Sequence, residues 1–89
     1  MGKSYRIEFA PAAARQFRKL PRDAKRRLRP VIDALATDPR PQGSKKLAGE
    51  DDLYRVRAGD YRVVYAIEAA ALLVLVVRVG LSPDGGAAR

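Results

Sequence analysis

Three features of this chain predict an α+β fold of order β-α-α-β-β-β, a small antiparallel sheet with a helical hairpin packed on one face. The first is a pair of runs rich in Val and Tyr, from Leu53 to Ile67, which flank Gly59-Asp60 and read as a β-hairpin. The second is helical periodicity from Pro11 to about Ala36, interrupted once at Leu20-Pro21. The third is an apolar strand-like run, Leu72 to Val79, close to the C-terminus. Eighty-nine residues are enough for one domain with a single modest core. Residues 1–80 are expected to form that domain, and 81–89, without periodicity, a flexible tail.

The elements follow in order. Ser4 to Phe9 alternates, with Tyr5, Ile7 and Phe9 on one side and Arg6 and Glu8 on the other, as a half-buried strand does. Pro11 suits the first turn of a helix in which Ala14, Phe17 and Leu20 keep helical spacing. A second helix is expected from about Arg22 to Ala36, with Ala24, Leu28, Val31, Ile32 and Leu35 on one arc and Arg22, Lys25, Arg26 and Arg29 on the other. Pro30 predicts a kink in it or a later start. Asp38-Pro39-Arg40-Pro41-Gln42-Gly43 ends the helical region, and a loop from Gly43 to Asp52 leads to the hairpin. The last strand is apolar on both faces, which suits a covered or central position. Its register stays open: a two-residue loop at Ala69-Ala70-Ala71 sets Arg78 opposite Tyr61, a three-residue loop opposite Arg62.

Charge narrows the function. The chain carries 18 basic residues against 10 acidic, a net charge of +8, which favours a densely anionic partner, with nucleic acid first. Neither Cys nor His occurs, so thiol catalysis, disulfides and the commonest metal ligand are excluded, and no cofactor motif is present. The longest apolar run, Ala69 to Val77, is far short of the roughly 20 residues of a spanning helix, and Met1 to Ala10 lacks a signal-peptide core. A cytoplasmic protein with no membrane partner is expected. The basic run from Arg15 to Arg29 admits two readings, a solvated helix face or a contact for a polyanion or an acidic protein.

The hairpin holds the sharper signal. With Gly59-Asp60 as a two-residue loop, Ala58 faces Tyr61, Arg57 faces Arg62, Val56 faces Val63 and Arg55 faces Val64. Tyr54, Val56, Tyr61, Val63, Tyr65 and Ile67 then share an apolar face, and Arg55, Arg57 and Arg62 share the other. Like charges directly across a ladder destabilise it, so an Arg57–Arg62 pair points to an anion that relieves the repulsion. Guanidinium groups hold a phosphodiester and stabilise the charge that grows on it, and RNA brings its own nucleophile in the 2′-hydroxyl. Lys45 and Lys46 are candidates for proton transfer. Tyr54, Tyr61 and Tyr65 lie on the apolar face, where core packing outweighs base stacking.

The string Lys45-Lys46-Leu47-Ala48-Gly49, followed by Leu53-Tyr54-Arg55-Val56-Arg57-Ala58-Gly59-Asp60-Tyr61-Arg62-Val63-Val64-Tyr65, resembles the RelE branch of the RelE/ParE toxin superfamily of type II toxin–antitoxin systems. The resemblance extends over nearly the whole chain to Gly80. It implies a toxin that cuts mRNA in the ribosomal A site, a cognate acidic antitoxin that neutralises it, and operator DNA bound only by the toxin–antitoxin complex. It assigns Arg55, Arg57 and Arg62 to catalysis. Lys45, Lys46 and Arg78 are expected to bind RNA, and Arg22, Arg26 and Arg29 the antitoxin. One departure stands out. Where the family carries a basic residue or His, then Arg, and a later Tyr, this chain has Leu81, Ser82 and Pro83, and no Tyr after Tyr65. ParE-like toxins, which poison DNA gyrase, lack that set too, so the alternatives are a gyrase inhibitor or a catalytically impaired toxin that binds only its antitoxin.

Overall fold

The computed structural model describes residues 4–47 and 52–82. It contains strand β1 (Arg6–Phe9), helices α1 (Pro11–Arg18) and α2 (Arg22–Ala34), then β2 (Lys45–Lys46), β3 (Leu53–Ala58), β4 (Tyr61–Glu68) and β5 (Leu73–Leu81). The strands form one sheet in the order β1-β5-β4-β3-β2. This is the expected α+β architecture with three differences. Lys45-Lys46 lies in a short edge strand rather than a loop, antiparallel to β3. β1 runs parallel to β5, so the sheet is mixed and not wholly antiparallel. Both helices and strands β2 to β4 lie between these two strands in sequence, and β1 takes the outer place beside β5. Finally, β5 continues through Leu81, and the Ser82 amide donates to the Asp60 carbonyl at 2.8 Å, so order reaches past Gly80. The remainder of the expected tail, 83–89, and part of the expected loop, 48–51, lie outside the described residues.

The helices form where the sequence places them. Pro11 occupies the first turn of α1, and α1 ends at Arg18, capped by Lys19, ahead of Leu20-Pro21. α2 starts at Arg22 and runs through Pro30. That proline is exposed, so water can reach the Arg26 carbonyl whose bond it removes. Leu28, Ile32 and Leu35, with Ala13 of α1, bury against Val56, Val63, Tyr65, Val74, Val76 and Val79 of the sheet. Each Leu, Ile or Val side chain so removed from water contributes about 1.5–3 kcal/mol. The helices therefore cover one sheet face and leave the other open.

The hairpin register is as expected at every pair from Arg55↔Val64 to Ala58↔Tyr61. Positive φ at Gly59 (64°), the first central residue of the turn, is what a II′ hairpin demands and what an L side chain resists. A Cβ there would also come within 2.9 Å of Arg27 Nη1 on α2. Gly59→Ala is therefore expected to lose about 1 kcal/mol or more of unfolding free energy in a denaturant titration.

The register of β5 differs from both sequence alternatives. Glu68 pairs with Leu73, so the connection is four residues, a 3-10 turn at Ala69–Ala71 followed by Leu72 in the left-handed region at φ 52°. The ladder then shifts: Tyr65 pairs with Val76 but Val64 with Arg78, which makes Val77 the extra residue of a β-bulge. Arg78 stands opposite Val64, neither Tyr61 nor Arg62. The bulge keeps Val74, Val76 and Val79 all buried on the helix side while turning Arg78 to the open face.

Tyr54 and Tyr65 stack with ring centroids 6.0 Å apart on the helix side of the sheet, as the apolar-face reading requires. The fully buried Tyr65 hydroxyl donates to the Pro39 carbonyl at 2.8 Å and ties down the chain leaving α2. The Arg40 guanidinium lies 5.3 Å above the Tyr54 ring and its Nε donates to the Tyr54 hydroxyl at 3.3 Å. Burial pushes the Tyr65 hydroxyl up from 10.0 to about 12, even though a hydrogen bond with Ser44 acts in the opposite direction. The neutral form is favoured in the folded chain, so this stabilisation is complete below pH 10 and falls as pH rises from 10 to about 12. Tyr65→Phe is expected to cost about 1–2 kcal/mol at neutral pH. Denaturant titrations across that alkaline window should show the difference between wild type and Tyr65→Phe shrinking.

Candidate nucleic-acid interface

The open face of the sheet collects cations from four strands. Lys45 of β2 pairs with Arg55 of β3, Arg55 with Val64 of β4, and Val64 with Arg78 of β5, so these residues form one row across the sheet. Arg57 and Arg62 form the next row towards the hairpin turn, and Gly80 completes it. Because cross-strand partners project to the same side, Lys45, Arg55, Arg57, Arg62 and Arg78 share this face. A two-residue loop makes Ala58–Tyr61 the hydrogen-bonded closing pair. Arg57–Arg62 is then a non-hydrogen-bonded pair, with Cα atoms about 4.5 Å apart and side chains at their closest. Gly80 beside Arg62 adds no side chain, which leaves room over that guanidinium.

Electrostatically the face is unbalanced. Among the described residues the ion pairs are Arg6–Glu8 at 2.9 Å and Arg29–Asp33 at 3.4 Å. Neither involves Lys45, Arg57, Arg62 or Arg78. Between the cations, Val64 is fully buried although it belongs to the open face. An anion settling here meets several cations at the edge of a low-dielectric protein surface, where each charge–charge contact is worth more than in bulk solvent.

The expected residues divide. Arg55, Arg57 and Arg62 are together, and Lys45 and Arg78 join them. Lys46 does not: it pairs with Tyr54, and alternation turns it towards the helix side of the edge strand. It stands apart from the arginines, exposed at the sheet edge. The position two residues after Gly80 is Ser82, fully buried, its hydroxyl without a hydrogen-bond partner among the described residues. Leu81, one residue before, is 60% exposed.

A second basic surface lies on the helical hairpin, across the core from the first. Arg22, Arg26 and Arg29, with Lys25, line a groove of about 310 Å³ beside Phe17 of α1. Arg29 also pairs with Asp33 one turn on. The structure thus brings the three expected antitoxin-binding arginines to one place and gives them an apolar floor, which residue spacing alone did not reveal. Gln16 was missed by sequence reasoning altogether. Its Oε1 accepts from the Val79 amide at 2.9 Å, and a lone Gln inside a basic helix gives no signal for it.

The fold agrees with what the chain is similar to. Residues 7–82 match the family of ParE toxins of type II toxin–antitoxin systems, parDE. RelE1 of Methanocaldococcus jannaschii is 30% identical over 66 residues, 71% of this chain and 73% of that protein. Among solved structures, the isolated E. coli RelE toxin superposes with a TM-score of 0.79 at 27% identity, covering 89% of this chain and 85% of that one. The RelBE2 toxin–antitoxin complex of Mycobacterium tuberculosis gives 0.80 at 26%, covering 92% and 95%. The archaeal RelE-RelB complex of Pyrococcus horikoshii gives 0.75 at 29%, covering 88% and 94%. The chain belongs to the RelE/ParE toxin superfamily and is a RelE-like toxin of a type II toxin–antitoxin system. Among the described residues, no helix is long and apolar enough to cross a membrane.

Proposed function

We propose that this toxin is an endoribonuclease that cuts mRNA held in the ribosome, acting in the cytoplasm with its substrate on the open sheet face. The observation that carries this reading is the assembly of Lys45, Arg55, Arg57, Arg62 and Arg78 on one face, without carboxylates in ion-pair contact with Lys45, Arg57, Arg62 or Arg78 among the described residues. RNA supplies the nucleophile. Its 2′-hydroxyl attacks the adjacent phosphorus, the P–O5′ bond breaks, and the products are a 2′,3′-cyclic phosphate and a 5′-hydroxyl. The chain's part is alignment of that hydroxyl and neutralisation of the charge on the phosphorane. Arg57 and Arg62, closest to one another, suit the phosphoryl oxygens as a fork. Lys45, beside Arg55, is the one ammonium group in the constellation and the candidate for proton transfer. The ribosome supplies the remaining orientation of the mRNA.

A cognate acidic antitoxin is the second partner, and the groove of Arg22, Lys25, Arg26, Arg29 and Phe17 its contact on the helical hairpin. Operator DNA is bound by the complex of the two. Translation extracts supplied with the purified chain are expected to show mRNA cleaved at the A site and no cleavage of the same RNA without ribosomes. A second reading, gyrase inhibition, draws on the match to ParE toxins and on the burial of Ser82 where the resemblance expects an arginine. Intact mRNA alongside trapped gyrase–DNA complexes would replace the first reading with it.

A further inference from the structure

We propose that Gln16 is a positioning residue, which fixes the bulged end of β5 and so holds Arg78 in the cationic face. This rests on the assignment of that face to RNA. β1 borders β5 only as far as Phe9↔Val76, and the Ala10 amide bonded to the Val76 carbonyl is the last contact along that edge. The chain then turns away into α1. Beyond that point no strand among the described residues lies beside the outer edge of β5, and the Val79 amide faces this gap in a part-buried setting. Left unpaired there, it would carry the penalty of a desolvated donor. The Gln16 side chain, from the second turn of α1, fills the missing partner's place at 2.9 Å.

The location gives this bond its consequence. Val77 is the bulged residue, and in an unbroken ladder Arg78 would pair with Val63 and face the core. The shift that turns Arg78 outward also brings Val79 inward, opposite Val63. Gln16 therefore anchors the strand one residue past Arg78 and two past the bulge, on the side that β4 does not hold. A side chain on the helical layer thereby sets the geometry of a cation on the opposite face.

The test is a double-mutant cycle on the full chain with a short single-stranded RNA oligonucleotide at fixed low salt, alongside amide hydrogen exchange. Gln16→Met, which keeps size and removes the acceptor, is expected to weaken RNA binding about fivefold. In the Arg78→Ala background the same change should cost nothing further. The Val79 amide should exchange faster in Gln16→Met but stay protected in Gln16→Glu, which retains an acceptor. Equal losses in both backgrounds would overturn the proposal, as would unchanged Val79 protection in Gln16→Met. An Arg78→Ala variant that binds RNA normally would overturn it too, by removing Arg78 from the RNA site. Failure of the nuclease reading is seen separately, as intact mRNA when the unmutated chain is added to translation extracts.

Discussion

Arg62→Ala is expected to reduce mRNA cleavage on the order of 10²–10³-fold and to abolish toxicity, while leaving the fold intact. Arg62 is the central cation of its row, with Arg57 on one side and Gly80 on the other. Among the described residues, no neighbouring side chain on the Gly80 side can replace it. In the absence of RNA its removal relieves the like-charge contact with Arg57, so the thermal midpoint should hold or rise slightly. Growth arrest on induction, primer extension on a reporter mRNA and a thermal melt of the same variant check the three parts. Full toxicity would take Arg62 out of the site.

Reversal of the helical groove, Arg22→Glu with Arg26→Glu and Arg29→Glu, is expected to weaken antitoxin binding by about 100-fold or more. RNA cleavage by the freed toxin should persist, because these residues lie across the core from the open face. The variant is also expected to lose a few tenths of a kcal/mol in α2, since a carboxylate in place of the Arg29 guanidinium would repel Asp33 at i,i+4 where an ion pair now stands. Titration calorimetry against the cognate antitoxin, paired with a cleavage assay, separates the two surfaces. Unchanged antitoxin affinity would remove this groove from the contact. Parallel loss of affinity and cleavage would show that the two surfaces are not independent.

Legibility varied along the chain for physical reasons. The hairpin could be read in full because a two-residue loop and a side-chain period of two together determine every partner from Ala58↔Tyr61 outward. Helix α2 was legible because its apolar arc, Ala24, Leu28 and Ile32, repeats every four residues, and this outweighed the local signal of Pro30. Lys45 and Lys46 were harder. Two charged residues after Gly43 look like a loop, and only β3 lying alongside turns them into a strand that sends one to the site and the other away. Leu81 and Ser82 gave no sign of order either, since what holds them is backbone pairing: Leu81 lies opposite Tyr61 in the ladder, and the Ser82 amide bonds to the Asp60 carbonyl.

By itself, the sequence determined the layered α+β class, the basic character and the gathering of Arg55, Arg57 and Arg62 on one face. Each of these follows from local periodicity and short-range pairing. Tertiary structure decided the parallel β1–β5 pairing, the four-residue connection before β5 and the side on which Arg78 emerges. Leu73 to Val77 is apolar in both phases, so alternation there does not distinguish inside from outside. The choice falls to neighbours distant in sequence: β4 through the bulge at Val77, β1 up to Val76, and α1 through Gln16. A strand without a phase of its own takes the one its neighbours impose.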